Sequence, residues 1–443
     1  MVRLASIEFA KLKNVRPGSR LTFPETGAVL LGKNGTGKTT LLQYLVALCT
    51  VDTSAFVSDE PFDVSAIFHL QKGTSATLRL EGGPWRTSAE PPEGSSTLAR
   101  YLARYLPVID STKVIFNITL PDDNTAYSVV IENGRAELSC DGKPVCPPIS
   151  VANPQIQLFG CVFKLAELVG KTKGSMSESL ISSIAIEFEM MRGSLYRYDE
   201  GLEYFRLLTD ADSGYLTYEM IVSTKKEPSG PRIQGRPGNM FRLPDSLKKA
   251  LMDNWRATPE SESFSLRHTQ VDFLADFVRL CNFSGASIIT PIESRRAIQG
   301  NVHYEWKSFR FAFDLDNDRI SHARLSFGEK RLLAYLYYLA CNRNIGVADE
   351  LVNGMHHEWI EYCLGAACAN RQMFYTSQNP LLLDFLVFQS EAEVSERFVT
   401  CSRDAHDGFV WENFDVRIGE EFYRLYKTGI QHVSDILRTK GWW

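Results

Sequence analysis

A glycine-rich segment with the spacing of a phosphate-binding loop lies near the start of the sequence. Gly37-Lys38-Thr39 follows Gly32 after four intervening residues. In such a loop the glycines let backbone N–H groups point at phosphate oxygens, the lysine reaches the β- and γ-phosphates, and the threonine hydroxyl is placed to ligate Mg²⁺. The predicted nucleotide-binding residues of this segment are Gly32, Asn34, Gly35, Thr36, Gly37, Lys38, Thr39 and Thr40.

The flanking sequence supplies the elements that would hold this loop. Residues 28–31 form a short apolar run of the buried-strand type, and the leucines that follow the loop recur at helical spacing. Strand, loop and helix are therefore all predicted, and the phosphates would lie at the N-terminus of the helix.

A second turn of possible phosphate-binding type lies far along the chain. Ser326 and Gly328 stand at a turn, Glu329 follows, and Leu332, Leu336 and Leu339 lie on one face of a predicted helix. A small hydroxyl and a glycine at a helix N-terminus can bind an anion.

Two carboxylates follow directly. Residues 344–348 have the pattern of a short buried strand, and the strand ends at Asp349 and Glu350. This arrangement predicts that Asp349 joins the Mg²⁺ shell and that Glu350 polarises a water molecule. Residues 373–377 predict a further buried strand that ends in polar residues.

In this order and spacing the chain resembles the ATP-binding-cassette (ABC) type of ATPase head. The similarity is to the branch that contains RecF, the SMC and Rad50 proteins and the overcoming-lysogenization-defect (OLD) nucleases, and it covers residues 1–50 and 305–390. It implies ATP and Mg²⁺ as ligands and an ATPase reaction in which Lys38, Asp349 and Glu350 are the phosphate lysine, the magnesium ligand and the catalytic glutamate. It also implies that Ser326, Gly328 and Glu329 belong to a signature motif acting on the γ-phosphate of a partner head.

Two parts of the resemblance are incomplete. Leu351 and Val352 depart from the family pattern after the catalytic glutamate, and Gln378 stands where a γ-phosphate-sensing histidine is usual. Glutamine can donate a hydrogen bond but cannot become a cation, so hydrolysis is expected to be slow, with ATP acting mainly as a dimer clamp. Because Glu350 is present, hydrolysis is the prediction, and a head that binds ATP without hydrolysing it is the alternative. The family's Mg²⁺-contacting glutamine corresponds to Gln155 or Gln157, and Gln157 is the predicted ligand; a plain surface position is the alternative.

The resemblance and the periodicity together predict an α/β fold. A central, mostly parallel sheet carries the phosphate loop, with a side antiparallel β-sheet and a helical lobe. The predicted divisions are residues 1–162, the first ATPase lobe; 163–340, a helical insert lobe with the signature motif; and 341–443, a return to the first lobe. Strands are predicted at residues 76–80, 114–120, 127–131 and 136–138, and Asn133-Gly134 indicates a hairpin.

Net charge, cysteine content and apolar run length disfavour several classes of protein. The chain has 443 residues and a formal net charge of −5, which argues against general coating of nucleic acid. Its nine scattered cysteines indicate reduced thiols, and no apolar run is long enough to cross a membrane. A cytoplasmic protein without a membrane partner is expected.

Three segments lie outside the resemblance. Residues 223–239 are basic and rich in proline and glycine, so they predict a mobile loop that contacts nucleic acid or a partner, or else a solvated surface loop. Residues 293–296 predict a charged turn that faces nucleotide or a partner, or else a plain surface turn. Residues 422–443 predict a packed closing helix, whose buried face would carry Phe422, Leu425, Tyr426, Ile430 and Val433 at helical spacing. Trp442 and Trp443 are an alternative docking site for a partner.

Three hypotheses for function remain open. The first is a stand-alone ATPase subunit that pairs with itself as a head-to-head dimer or higher homo-oligomer and controls a separate effector protein, such as a nuclease. This organisation resembles antiphage systems such as PARIS and Septu. The second is a RecF-like DNA-repair or recombination ATPase that binds DNA directly. The third, a transporter ATPase, is disfavoured by the antiparallel insert and by residues 354–356.

Overall fold

The computed structural model of the chain divides into two compact units. It describes residues 2–70, 73–83, 112–120, 125–199, 201–209, 218–223, 232–235, 243–298, 300–316, 318–365, 368–369 and 371–442. The first unit comprises Met1–Arg197, Asn344–Asp349 and Asn370–Trp443, and the second comprises Tyr198–Arg343 and Glu350–Ala369. The chain first passes from the first unit to the second between residues 197 and 198. The division into lobes with boundaries at 162/163 and 340/341, which was based on the sequence, remains a prediction.

A mostly parallel sheet forms the centre of the first unit. Its strands, in spatial order, are β11 (Arg197–Tyr198), β20 (Ile345–Ala348), β21 (Gln372–Thr376), β3 (Gly27–Leu31), β22 (Phe398–Arg403) and β23 (Phe409–Asn413). β20, β21, β3 and β22 are parallel, and β23 is antiparallel to β22. β3, β20 and β21 are buried along their whole length, as expected of strands covered on both faces. The carboxyl ends of β20, β21 and β3 therefore lie at one edge of the sheet.

An antiparallel sheet flanks this core. Its order is β10-β8-β7-β6-β5-β4-β1-β2, with β9 paired to β8. The strands are β1 (Arg3–Lys11), β2 (Ser19–Thr22), β4 (Phe62–His69), β5 (Ser75–Gly82), β6 (Thr112–Thr119), β7 (Ala126–Glu132), β8 (Arg135–Cys140), β9 (Lys143–Pro144) and β10 (Ile149–Ser150). Asn133 and Gly134 have φ angles of 51° and 70°, the left-handed values that a tight hairpin requires. The predicted hairpin and the predicted α/β fold class, with its central parallel and side antiparallel sheets, are confirmed.

Helices cover both sheets of the first unit. They are α1 (Lys38–Thr50), α2 (Pro154–Lys173), α3 (Ser175–Arg192) and, near the end of the chain, four shorter helices: Pro380–Asp384, Glu391–Arg397, Val416–Lys427 and Val433–Thr439. Rings of Phe68, Phe116, Phe159 and Phe188 pack between the antiparallel sheet and α2 and α3.

The predicted closing helix is wrong in its extent. The chain leaves helical geometry after Lys427, because Gly429 adopts a left-handed φ of 65°, and a new helix begins at Val433. Ile430, which the periodicity placed on the buried face, is 85% exposed in the intervening turn. Trp442 packs against Phe414, with ring centroids 5.6 Å apart, and Trp443 lies outside the described residues.

The second unit contains more strand than the sequence predicts. One antiparallel sheet has the order β13 (Arg232–Gly235), β12 (Tyr218–Ser223), β17 (Asn301–Trp306), β16 (Ser294–Ile298). Another has the order β14 (Ser263–Arg267), β15 (Gly285–Pro291), β18 (Arg310–Leu315), β19 (Asp318–Ser321). The helices are α4 (Glu203–Thr209), α5 (Asp245–Ala257), α6 (Asp272–Leu280), α7 (Phe327–Cys341) and α8 (His357–Leu364).

Two sequence-based expectations change in this unit. The charged turn at residues 293–296 is instead the start of β16, since Ser294–Ile298 pairs along its length with Asn301–Trp306. Within the basic segment 223–239, Arg232–Gly235 is a strand that pairs with β12, and residues 224–231 and 236–239 lie outside the described residues. Cross-strand pairing is non-local, so it can override a local composition that is typical of loops. No helix in the described part of the chain is long and apolar enough to cross a membrane.

Candidate functional site

The glycine-rich loop joins β3 to α1 as predicted. Its glycines at 32, 35 and 37 have φ angles of 148°, 80° and 84°, values that side chains strongly disfavour. A Cβ on Gly32 would lie 2.3 Å from the carbonyl oxygen of Cys401, and one on Gly37 would lie 2.6 Å from the ring of Phe409. Side chains at positions 32 and 37 would therefore clash with Cys401 and Phe409, and the backbone of this glycine cradle can take its course only with glycine there.

Lys38 places a cation inside this cradle. Its side chain is buried, and Nζ donates to the carbonyl oxygens of Gly32 at 2.7 Å and Lys33 at 3.0 Å. The Thr36 hydroxyl donates to the same Lys33 carbonyl at 2.8 Å, which closes the loop on itself. Both lysine acceptors are neutral, so the ammonium charge remains available to an anion.

Asp349 brings a carboxylate to the start of α1. The Thr39 hydroxyl donates to Oδ2 of Asp349 at 2.8 Å, and the Thr376 hydroxyl donates to Oδ1. Arg197 Nη1 lies 2.9 Å from Oδ2 in an ion pair. The contact of Thr39 with Asp349 follows from the parallel sheet, because β20 ends just before Asp349, β21 ends at Thr376 and β3 ends just before the loop.

These oxygens fit a hard divalent cation. Mg²⁺ prefers one or two carboxylates, hydroxyls and phosphate oxygens as ligands. Thr39 and Asp349 already lie within hydrogen-bond distance of each other at the edge of the phosphate cradle. The chemistry of the donor set therefore matches Mg²⁺ bound together with a nucleotide.

An arginine and an aromatic ring support the loop from outside. Arg403 Nε donates to the carbonyl oxygen of Gly35 at 2.7 Å, and its guanidinium lies 4.7 Å from the ring centroid of Phe409. The ring of Trp411 stacks on Phe409 at 5.5 Å and 11°. This stack fixes the ring against which Gly37 packs.

Two predicted glutamines take different positions. Gln378 is exposed, two residues beyond the end of β21, and its role at the γ-phosphate stays a prediction. Gln157 lies in the first turn of α2, where its Oε1 accepts from the backbone N–H groups of Ala152 at 2.6 Å and Asn153 at 3.1 Å. In this structure Gln157 therefore caps a helix, and its contact with a metal stays a prediction; the side chain of Gln155 lies outside the described residues.

The second unit contains the signature-like turn. Ser326 is the N-cap of α7, and Ser326 and Glu329 form a capping box: Glu329 N donates to the serine Oγ at 3.3 Å, and Ser326 N donates to Glu329 Oε2 at 2.7 Å. A Cβ on Gly328 would lie 2.3 Å from the carbonyl oxygen of Gly354. Phe327, between them, is 51% exposed. The predicted turn and helix are thus present, while the ATP contacts of Ser326, Gly328 and Glu329 stay predictions.

Glu350 begins the segment that packs on this helix. It has a left-handed φ of 52°, which is uncommon for a residue with a side chain and costs about 1–3 kcal/mol when the surroundings impose it. Its backbone carbonyl accepts from Arg331 Nη2 at 2.9 Å.

Arg331 is a functional candidate that sequence reasoning missed. Its side chain is fully buried, and its guanidinium also donates to the carbonyls of Leu351, at 3.2 Å, and Asn353. The helix that Ser326 opens is thereby bonded to the backbone that follows Asp349 and Glu350. The sequence offered one clue, a charged residue directly before the long apolar run of α7; Arg197, Arg403 and Thr376 offered none.

Comparisons with known proteins find similarity only at the level of solved structures. No protein-family model matches the chain, and no curated protein matches it. The SMC head domain from Thermotoga maritima is 10% identical over 93% of this chain and 99% of its own, with a TM-score of 0.36. An SMC head bound to the C-terminal winged-helix domain of ScpA is 12% identical over 94% of this chain and 99% of its own, with a TM-score of 0.39. An SMC head with an extended coiled coil, bound to the C-terminal domain of ScpA and derived from Pyrococcus furiosus, is 11% identical over 97% and 100%, with a TM-score of 0.37.

These identities and TM-scores are low. The strands and loops of the first unit form a mostly parallel α/β core with the glycine-rich loop between β3 and α1. The first unit combines Lys38 in a glycine cradle with the Thr39–Asp349 pair, and the second combines Ser326 with the segment that begins at Glu350.

Proposed function

We propose that the protein is an ABC-type ATPase subunit that binds and hydrolyses ATP, pairs with a second head when ATP is bound, and so controls a separate effector. The observation that carries the proposal is the contact of Thr39 with Asp349 beside the Lys38 ammonium. A cation in a glycine cradle, followed by a hydroxyl and a carboxylate at a helix N-terminus, is suited to a magnesium–triphosphate.

The residues have separate tasks in this proposal. Lys38 and the N–H groups of the loop hold the phosphates, and Thr39 and Asp349 would hold Mg²⁺, which when bound neutralises phosphate charge. Glu350 orients and deprotonates the attacking water, because it follows the magnesium carboxylate directly in the chain. Gln378 donates a neutral hydrogen bond to the γ-phosphate, and the absence of a cation in that side chain accounts for an expected slow turnover.

The exposed turn at Ser326 supports the proposal of head pairing. The N-terminus of α7 is a favourable place for an anion, and Ser326 and Phe327 are exposed there. A second copy would bring its bound γ-phosphate to this turn, so that each ATP is shared by two chains. The heads would then exist in two states, separated and paired, and an effector that binds one state better than the other would respond to ATP.

Mixing two inactive variants tests the shared site. Lys38→Ala removes the phosphate cation, and Ser326→Asp keeps a capping side chain while it places a negative charge at the proposed γ-phosphate contact. In an equimolar mixture half of the randomly formed dimers contain one chain of each variant. Such a dimer keeps one of its two sites intact, the one made of Lys38 from one chain and Ser326 from the other. We therefore expect about a quarter of wild-type turnover. A mixture as inactive as its components would refute the shared site.

Glu350→Gln tests the catalytic base. We expect ATP binding without turnover and an ATP-dependent dimer in light scattering, because glutamine cannot accept the proton. The matched control is Glu358→Gln, which alters an exposed glutamate on α8 and should leave turnover unchanged. Wild-type turnover by Glu350→Gln would exclude it as the base.

The nature of the effector is the finer part of the proposal. We propose a separate nuclease of an antiphage defence system, and the alternative is a RecF-like ATPase that binds DNA itself. Exposed Arg295 and Arg296 on β16 favour testing that alternative. Turnover stimulated by DNA would support it, whereas co-purification with the product of a neighbouring gene, without DNA stimulation, would support the separate effector.

A further inference from the structure

Arg197 lies against the carboxylate that the proposed function assigns to Mg²⁺. Its Nη1 is 2.9 Å from Oδ2 of Asp349, and the Thr39 hydroxyl donates to that same oxygen at 2.8 Å. The Arg197 side chain is 24% exposed and that of Asp349 is 10% exposed. One carboxylate oxygen therefore meets both a permanent cation and the hydroxyl of the phosphate-loop helix.

The pair has a clear electrostatic reason. A buried carboxylate is costly unless it is paired with a cation and hydrogen-bonded. The two threonine hydroxyls supply hydrogen bonds to Asp349, and Arg197 supplies the charge.

A second cation has to compete with this arrangement. A dication held by Asp349 and Thr39 would share this carboxylate with the guanidinium, and like charges close together repel strongly in a partly buried site. Arg197 ends the first unit and begins a two-residue strand at the edge of the central sheet, next to Ile345–Ala348. Its backbone is therefore held at the edge of that sheet.

We propose that Arg197 takes the place of Mg²⁺ on Asp349 until the metal–nucleotide complex binds, and thereby sets the metal concentration at which the site fills. This inference rests on the proposed function, since it needs a site that binds Mg²⁺ with a nucleotide. Arg197 is a positioning residue in this scheme: it keeps Asp349 aligned with Thr39 and leaves Oδ2 when a stronger cation arrives.

Manganese binding measures the competition directly. The full chain is titrated with Mn²⁺ in the presence of ATP, and free Mn²⁺ is followed by electron paramagnetic resonance, in wild type, Arg197→Gln and Arg197→Lys. The matched control is Arg192→Gln, which removes an arginine of similar exposure that pairs with Glu189 at the end of α3. Because a partly exposed ion pair is worth up to about 1 kcal/mol, we expect the half-saturating Mn²⁺ concentration to fall about fivefold in Arg197→Gln and to stay unchanged in Arg192→Gln.

The outcomes separate this inference from the function beneath it. An unchanged or higher half-saturating Mn²⁺ concentration in Arg197→Gln overturns the inference while leaving nucleotide binding intact. If wild type binds neither ATP nor Mn²⁺, the proposed function itself fails. Arg197→Lys keeps the charge but loses the planar guanidinium, so we expect its half-saturating Mn²⁺ concentration to fall by only about twofold. If Arg197→Gln proves unstable, an unchanged half-saturating Mn²⁺ concentration in Arg197→Lys would still overturn the inference.

Discussion

The phosphate loop allows one prediction to be worked out quantitatively. Gly35 and Gly37 have nearly the same φ, 80° and 84°, but different surroundings. A Cβ on Gly35 would meet nothing within 4 Å, whereas one on Gly37 would lie 2.6 Å from the ring of Phe409. Gly35→Ala therefore measures backbone strain alone, and Gly37→Ala measures the same strain together with a steric clash.

The clash cannot be relieved by a small movement of the ring. Phe409 stacks on buried Trp411 on one side and carries the guanidinium of Arg403 at 4.7 Å. Left-handed backbone costs alanine about 1 kcal/mol relative to glycine, and overpacking adds about 1–3 kcal/mol. We expect Gly35→Ala to lower the free energy of unfolding by about 1 kcal/mol and Gly37→Ala to lower it by about 2–4 kcal/mol.

Urea unfolding followed by circular dichroism measures both values, with an unchanged m-value as the condition for comparing them. Phe409→Leu completes a double-mutant cycle: removing the ring should restore at least about 1 kcal/mol to Gly37→Ala, while Gly35→Ala and Phe409→Leu should be additive within about 0.5 kcal/mol. Equal losses for the two glycine variants, or no coupling between residues 37 and 409, would refute the assignment of the clash.

Two further predictions concern the second unit. Arg331→Met removes three hydrogen bonds to backbone carbonyls in residues 350–353. We therefore expect the free energy of unfolding to fall by about 3 kcal/mol and amide hydrogen exchange in that segment to become faster, with Arg331→Lys restoring only part of both losses. Unchanged hydrogen exchange in Arg331→Met would contradict the role of this arginine. Burial lowers the pKa of His322, whose Nδ1 accepts the N–H of Phe311 at 3.1 Å. The unfolded chain binds this proton more readily, so stability is lost as pH falls below the ordinary histidine pKa of about 6.5 toward the folded value. His322→Asn should lose less stability than wild type between about pH 7.5 and about pH 5, and equal losses would exclude His322 as a source of the acid sensitivity.

Local features of the fold could be predicted because their causes are local. The strand before the loop, the loop itself and α1 follow from a buried apolar run, a glycine spacing and leucines at helical period. The hairpin at Asn133-Gly134 and the start of α7 at Ser326 are likewise specified within a few residues, by left-handed φ angles and by a capping box.

Non-local pairing explains the features that were not predicted. The charged residues at the start of β16 are typical of a turn, and their side chains are exposed. Only pairing with Asn301–Trp306 makes this segment a strand. The apolar period of the closing helix continues past Gly429 in the sequence, but the left-handed backbone of that glycine interrupts the helix. Periodicity does not reveal where a backbone turns, so the sequence did not predict this break. The buried Arg331 depends on three carbonyls that lie about twenty residues further along the chain.

The amino-acid sequence alone specifies the chemical groups of this protein: a glycine cradle with Lys38 and Thr39, the Asp349-Glu350 pair, and the hydroxyl of Ser326 at the start of a helix. Which of those groups meet depends on the tertiary fold. Thr39 reaches Asp349 across 310 residues because parallel strands end at one edge of the sheet, and Arg197 reaches the same carboxylate across 152 residues because a buried anion needs a cation beside it.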